Sequence, residues 1–224
     1  MGLKTLVILN MVVLRKELMV HKRILGVLLF LLAAPESVWA NAGKILFVRG
    51  EVAIVDESGD RASVESGTVV EEGDRIRTGG DSRAQLRLSD GALISLRSHS
   101  DYQIVAQKQD EGLLEQAGKL FSGWMRSVSG AIAKARPDKV SQETPVATIG
   151  IRGTTYQVIH MPEGGIPGMP QSEPGTYIYL QQGSIESVAG GETRFMEPGD
   201  VVFVPLGGGV PVPAPDKKGL FSRE

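Results

Sequence analysis

The side chains able to move protons are few in this chain, and they form no recognised catalytic pattern. The sequence has three histidines, His21, His99 and His160, and no cysteine. The run Ser98-His99-Ser100-Asp101 supplies the residue types of a serine hydrolase, yet neighbours along a strand point to opposite faces. The signatures GxSxG, HExxH and SxxK and the phosphate loop are absent. We therefore predict a non-catalytic protein, with an envelope glycan or peptide hydrolase as an alternative.

A possible metal loop fails on spacing. Asp56, Ser58 and Asp60 alternate like the start of a calcium-binding loop, which needs a glycine in sixth place and a glutamate in twelfth. Here Gly59 is fourth and no glutamate is twelfth. A solvated hairpin tip is the better interpretation. The lack of cysteine also excludes cysteine-ligated zinc and iron–sulfur clusters, and we predict no metal and no cofactor.

Arginines recur at alternate positions on successive short strands, at Arg75, Arg77, Arg87 and Arg97. If those strands stack, the guanidinium groups form a ladder able to fork onto carboxylates or phosphates. Five acidic residues balance the five arginines of residues 71–100. An ordinary charged, solvent-exposed surface is therefore favoured over an anion site.

Four motifs occur in a fixed order along the chain: EGDRIRTG at 72–79, LSDGAL at 88–93, TPVATIGIRGT at 144–154 and EPGDVV at 197–202. Together they resemble the FecR family over residues 43–205. The motif residues to which the resemblance assigns a structural role are Gly73, Asp74, Asp90, Gly91, Thr144, Pro145, Arg152, Gly153, Thr154, Gly199 and Asp200.

The resemblance implies a bacterial periplasmic domain that receives a transport signal and passes it to a sigma factor. We expect a non-catalytic interaction module whose partner is an envelope protein or a glycan. Full regulators of this family carry a sigma-binding segment and a transmembrane helix before the domain, whereas 23 residues precede the apolar run here. A sensor that acts in trans on a separate membrane-bound regulator is therefore an alternative.

Arg152 is the one charged residue among small and apolar neighbours in its motif. A buried guanidinium needs a carboxylate or several carbonyls. Asp74 and Asp200, which end two similar Gly-Asp turns, are the candidate partners. We therefore predict a buried ion pair that holds the fold together. Pro145 suits a strand entry or edge, because it lacks an amide donor.

The elements that position these residues are short strands. Residues 44–48, 51–55, 69–70, 74–77, 84–88, 93–96 and 102–106 are the first predicted strands, and residues 84–88 alternate cleanly between apolar and polar. Asp90-Gly91 predicts a turn. Turn signals every 8–12 residues favour an all-β fold of stacked antiparallel strands, as a β-roll, a β-helix-like arrangement or a sandwich. Gly-Asp turns after residues 48–52 and 180–185 indicate a repeated strand–turn–strand unit.

The second half contains one ambiguous segment and one loop. Apolar residues between 113 and 132 have helical spacing, but three glycines weaken a helix. The resemblance to the FecR family implies a strand here followed by a short helical turn. We therefore predict a strand over 119–128, with Phe121 and Trp124 in the core, and a short helix over 130–135. Residues 161–175 hold four prolines and four glycines and are predicted to be a loop.

The two ends of the chain are predicted to lie outside the domain. Residues 1–40, beginning at Met1 or Met19, have the charged start, 11-residue apolar run and Val38-Trp39-Ala40 ending of a signal peptide. Residues 41–206 form the FecR-like domain. Residues 207–224 are predicted to be a disordered Gly/Pro-rich tail whose removal leaves stability unchanged.

Charge and compartment follow from the same division. Five basic and two acidic residues lie in residues 1–40, so the remainder has 19 basic and 24 acidic residues and a net charge of −5. This balance argues against nucleic-acid binding. We predict a periplasmic or secreted protein that contacts the membrane only if the signal peptide is uncleaved.

Overall fold

A computed structural model describes residues 41–55, 59, 61–110 and 113–222. They belong to one compact unit, residues 40–224. The predicted signal peptide and the predicted hairpin tip at Asp56, Ser58 and Asp60 lie outside the described residues. Within those residues no helix is both long enough and apolar enough to cross a bilayer.

Short strands fill the first part of the unit, as the alternating sequence predicts. They are β1 Gly43–Arg49, β2 Val52–Val55, β3 Arg61–Ser63, β4 Val69–Val70, β5 Arg75–Thr78, β6 Arg83–Leu88, β7 Leu93–Leu96 and β8 Asp101–Asp110. In β6 every second side chain is buried, which is the pattern of a strand with one face on the core.

Longer strands and the short helices fill the second part. They are β9 Leu113–Val128, α1 Ala131–Ala135, a 3-10 helix Pro137–Lys139, β10 Val140–Glu143, β11 Thr148–Met161, β12 Gly175–Ala189, β13 Glu192–Met196, β14 Val201–Pro205, β15 Val212–Pro213 and a 3-10 helix Pro215–Phe221. The strand predicted at 119–128, the helix at 130–135 and the loop after residue 161 are confirmed.

The strands form one mixed, hydrogen-bonded sheet of 15 strands within the described residues. The prediction of an all-β fold with one short helix is confirmed. Strand β9 is the hub, because it pairs with β7, β8, β10 and β11. The β9–β10 pair is parallel, unlike the other pairs, because α1 and the first 3-10 helix carry the chain back before β10 starts. Parallel neighbours need such a crossover.

The main hydrophobic core joins residues that are far apart in sequence. Ile45 of β1, Ile76 of β5, Leu120 of β9, Tyr156 of β11 and Ile185 of β12 belong to one buried cluster. Because the first and the later strands share this cluster, the sheet wraps around its own core. A second buried cluster is formed by β9, β11, β12, β14 and the last 3-10 helix, and it contains Trp124, Ile159, Tyr177, Phe203, Leu220 and Phe221.

The prediction of a disordered tail is wrong for residues 212–221. Strand β15 pairs with β14, and the 3-10 helix that follows buries Leu220 and Phe221 in the second cluster. The Phe221 ring lies 5.4 Å from the ring of Tyr179. The tail has few apolar residues, and because prolines and glycines separate them they form no periodic pattern in the sequence. Their burial nevertheless stabilises the packed tail.

Trp124 and Phe121, both predicted to be core residues, differ in burial. Trp124 is buried in the second cluster, which confirms its prediction. Phe121 is only half-buried, and the Arg75 guanidinium carbon lies 3.9 Å from its ring centroid. Phe121 therefore makes a cation–π contact with Arg75.

Candidate binding surfaces

The two Gly-Asp turns have a local structural role. Asp74 Oδ2 accepts a hydrogen bond from Glu71 N at 2.8 Å, and Asp200 Oδ2 accepts one from Glu197 N at 2.9 Å. The glycine before each aspartate has a positive φ, 91° at Gly73 and 102° at Gly199. Each aspartate therefore closes its own turn.

Asp90 and Gly91 lie in the turn between β6 and β7. Asp90 is buried and accepts hydrogen bonds from Ala92 N at 3.1 Å and from Ile132 N at 3.3 Å. A Cβ atom at Gly130 would come within 2.3 Å of the same carboxylate. Asp90 therefore fixes both its own turn and the start of α1.

Thr144 and Pro145 lie in the turn between β10 and β11, and not at the strand entry or edge predicted for Pro145. Thr144 Oγ1 accepts a hydrogen bond from Ala147 N at 3.0 Å. Pro145 fits the turn because its φ is fixed and the turn does not use its missing amide.

The same Thr144 hydroxyl begins a buried polar chain. Thr176 Oγ1 donates to Thr144 Oγ1 at 2.9 Å and lies 2.9 Å from His160 Nδ1. His160 is 2% exposed, and burial lowers its pKa to about 4. A neutral, enclosed imidazole with two threonines is a structural polar group, since it has no access to a substrate.

Gly153 and Thr154 form a bulge in β11. The β11–β12 register shifts between Arg152 and Thr155, and Gly153 has a φ of 68°. Thr154 N donates to Ser129 Oγ at 2.9 Å. Bulges of this kind bend a strand and increase its twist.

The prediction of a buried Arg152 paired with Asp74 or Asp200 is wrong. The Arg152 side chain is 58% exposed, and its Nη2 lies 3.8 Å from Glu186 Oε2. The physical reason is strand periodicity: Ile149 and Ile151 point into the core, so the residues between and after them point outward. Small neighbours left room on the solvent side.

Arg152 belongs to a broad solvent-facing surface, which we call the outer face. One row across β9 to β13 contains Lys119, Glu143, Thr148, Val188 and Thr193, and the next contains Ala117, Ser141, Gly150, Glu186 and Phe195. Phe195 is 69% exposed and Val188 is 38% exposed. In the second row, the small residues Ala117, Ser141 and Gly150 leave this face low in relief.

The four arginines at alternate positions, Arg75, Arg77, Arg87 and Arg97, do not form a ladder. Arg77 Nε and Arg75 Nη2 both donate to Asp101, at 2.9 and 2.8 Å. Arg97 lies over the Trp124 ring, with its guanidinium carbon 3.8 Å from the centroid, and Arg87 is exposed on β6. The first two are thus satisfied by a carboxylate of their own sheet.

A cleft of about 430 Å³ lies at another part of the surface. Its walls are the β5–β6 turn with Asp81 and Arg83, the β7–β8 turn with Arg97 and His99, the loop 167–170 and Leu220 of the tail. Sequence reasoning missed this site, because four distant segments form it. The one available signal was the polar run 98–101, which supplies one wall.

The cleft does not assemble a catalytic triad. Ser98 Oγ donates to Ser82 O at 3.3 Å, and within the described residues no hydrogen bond or ion pair joins His99 to Ser98 or Asp81. Nor do the described residues contain a cluster of three or more histidine, cysteine or acidic side chains able to hold a metal ion. A serine nucleophile in acyl transfer needs a general base within hydrogen-bonding distance.

Comparison with known proteins finds one matching family and two similar solved structures. Two crystal structures of a "putative anti-sigma factor" from Parabacteroides distasonis ATCC 8503, at 1.65 and 2.50 Å resolution, are similar at 12% identity, with TM-scores of 0.48 and 0.47. The matches cover 62% of this chain and 58% of those chains. No curated protein matches the sequence significantly. The family model described as FecR protein matches residues 74–186, from the first Gly-Asp turn into β12. The chain therefore belongs to the FecR family.

Proposed function

We propose that this protein is a non-catalytic module of the bacterial periplasm that binds an envelope protein through its outer face, as one step of signal transduction. Family membership supports a regulator-like role in signalling. The observation that carries the proposal is the joint exposure of Arg152 and Phe195 on one continuous face of β11 to β13.

The residue types on this face are those that anchor protein interfaces. Aromatic residues and arginine are enriched among side chains that dominate binding energy, particularly when small neighbours let the partner approach closely. Phe195 stands directly opposite Glu186, and Arg152 reaches the same glutamate from β11. Val188 adds apolar surface one row away.

The partner's chemistry follows from these groups. Burying Phe195 and Val188 needs an apolar patch on the partner. Arg152 lies 3.8 Å from Glu186, which is a long contact for an ion pair and leaves its other donors for a partner carboxylate or carbonyl. A folded protein can supply an apolar patch and a carboxylate at fixed positions, and this favours a protein over a glycan.

Site-specific photocrosslinking in the periplasm tests this proposal. The protein is expressed in its own organism with a photoreactive amino acid in place of Phe195. After illumination, any crosslinked adduct is identified by mass spectrometry. We expect a discrete adduct with one envelope protein, and an at least fivefold lower yield when Arg152→Glu is added. Isothermal calorimetry with the purified partner should give the same dependence on Arg152.

The matched control carries the photoreactive residue at Phe47, which is also exposed but lies on β1, away from the outer face. It should give no such adduct. Equal adducts from both positions, or an adduct insensitive to Arg152→Glu, would overturn the proposal. Fractionation of the cells checks the compartment independently.

A further inference from the structure

We propose that the cleft beside His99 binds a small organic anion that carries an apolar portion. This site is separate from the outer face, because none of the residues in the two rows of that face lines the cleft. Its volume of about 430 Å³ lies in the range of small-molecule sites.

The charges at the cleft favour an anion. Among the described residues of its lining, Arg83, Arg97 and Asp81 are charged. Arg49 of β1 stands directly opposite Arg83 in the register of the two strands, and both are exposed. Like charges placed opposite each other repel, and within the described residues neither forms an ion pair with a carboxylate. An anion in the cleft would relieve this repulsion.

The arginine side of the cleft is held rigidly. Arg97 is stacked on the buried Trp124, which fixes the plane of its guanidinium before any ligand arrives. The floor below is held by buried hydroxyls: Ser100 N donates to Thr78 Oγ1 at 2.8 Å, and Glu51 N donates to Ser82 Oγ at 2.9 Å. A site whose donors are already ordered loses less entropy on binding.

Backbone geometry points to the same place. Asp81 and His99, with φ values of 52° and 56°, are the non-glycine residues with positive φ in the described chain, and both line the cleft. This conformation is uncommon for residues other than glycine and recurs at ligand sites. It turns the two polar side chains toward one cavity from neighbouring turns.

The cleft also has an apolar wall. Pro167, Met169, Pro170 and Leu220 line the side opposite the charged turns. Met169 and Leu220 also pack in the second buried cluster. Inorganic phosphate or acetate would leave this wall uncovered. A carboxylate or phosphate joined to a ring or alkyl group would satisfy both sides.

Tryptophan fluorescence provides the assay. Residues 41–224 contain a single tryptophan, Trp124, which lies under Arg97 at the cleft. Purified protein is titrated with phenylacetate, phenyl phosphate, N-acetyl-alanyl-phenylalanine with a free carboxylate, acetate and the neutral phenylacetamide. We expect saturable quenching by at least one aromatic anion, with phenylacetamide and acetate each at least tenfold weaker. The best of the three aromatic anions tells whether the head group is a carboxylate, a phosphate or a peptide terminus.

Matched variants on one strand locate the site. Arg83→Gln should weaken binding at least fivefold, whereas Arg87→Gln, another exposed arginine of β6 outside the cleft lining, should leave it unchanged. Melting curves check that both variants are folded. No quenching up to 10 mM ligand, equal binding of phenylacetamide, or equal losses in the two variants would each overturn the inference. None of these results depends on the partner bound by the outer face.

Discussion

Asp74 and Asp200 hold two turns of the sheet by the same set of hydrogen bonds. Besides the bonds to Glu71 N and Glu197 N, each turn is tied to a neighbouring strand. Gly73 N donates to Ile104 O and Gly199 N donates to Leu180 O, both at 2.8 Å. Ile104 N and Leu180 N donate back to Asp74 O and Asp200 O, at 3.0 and 3.1 Å. The internal repeat predicted from sequence is therefore a repeated way of attaching a turn to the sheet.

These two turns give a paired prediction. Asp74→Ala and Asp200→Ala each remove a carboxylate that accepts a backbone amide, and a bond of this kind contributes about 1.5–3 kcal/mol when it is shielded from water. The Asp74 turn is half-buried and the Asp200 turn is exposed. Urea unfolding should show the larger loss for Asp74→Ala. Asp216→Ala, on the exposed tail helix, is the control and should change little. Equal losses for all three would contradict the structural role.

Substitution of Asp90 should lower stability more than substitution of Asp74 or Asp200. Asp90→Ala leaves the buried amides of Ala92 and Ile132 without their acceptor, and each unsatisfied donor costs about 1–3 kcal/mol. Asp90→Pro should disturb folding more strongly. Gly91→Val forces a β-branched residue to a φ of 86°, at a cost of about 1–2 kcal/mol or more. Thermal melts measure these losses, and unchanged melting temperatures would show that the turn tolerates other residues.

Removal of the tail should lower stability, contrary to the expectation from sequence. A chain ending after residue 206 loses the burial of Leu220 and Phe221 and exposes Tyr179 and Phe203. Burying a Leu or Phe side chain contributes about 1.5–3 kcal/mol. Phe221→Ala alone should therefore lower the melting temperature clearly. Val210→Ala, at a partly exposed tail position, should not. A truncated protein as stable as the full chain would show that the tail packs only loosely.

Arg152→Ala should melt within a degree or two of the wild type. An exposed ion pair contributes about 0–1 kcal/mol, and the contact to Glu186 is long. Asp101→Ala is the informative comparison, because it removes the shared acceptor of Arg75 and Arg77 and should be clearly more destabilising. A sharp loss of stability in Arg152→Ala alone would indicate that the outer face is a structural element rather than a binding surface.

His160 makes stability depend on pH. Burial lowers its pKa in the folded state to about 4, below the value of 6.5 expected in the unfolded chain. The unfolded state therefore takes up the proton first as the pH falls, and stability is lost between about pH 6.5 and 4, by on the order of 3 kcal/mol. Urea unfolding at several pH values in this range gives the free energy of unfolding. We expect this free energy to fall less steeply with falling pH in His160→Gln than in the wild type. An equal dependence of the unfolding free energy on pH in both proteins would mean that His160 is accessible to protons in the folded protein.

The sequence alone determined the local structure and the family. Alternation in residues 84–88 and the Gly-Asp and Asp-Gly pairs predict strands and turns, because a strand has period two and positive φ favours glycine. Residues 113–132 have helical spacing, yet they contain strand β9, as the family resemblance implies. Gly123 has a φ of 98° inside β9, and a Cβ there would meet Ser100. The four motifs together identified the FecR family.

Tertiary structure decided where charges and sparse apolar residues lie. The apolar neighbours of Arg152 predict an interior position, but only the register of β11 against β12 shows which side of the strand it occupies. Leu220 and Phe221 have no periodic neighbours, so their burial depends on the surface that β12 and β14 offer. The cleft unites turns from β5–β6, β7–β8 and β11–β12 with the tail, and contacts between distant segments leave no local pattern in the sequence.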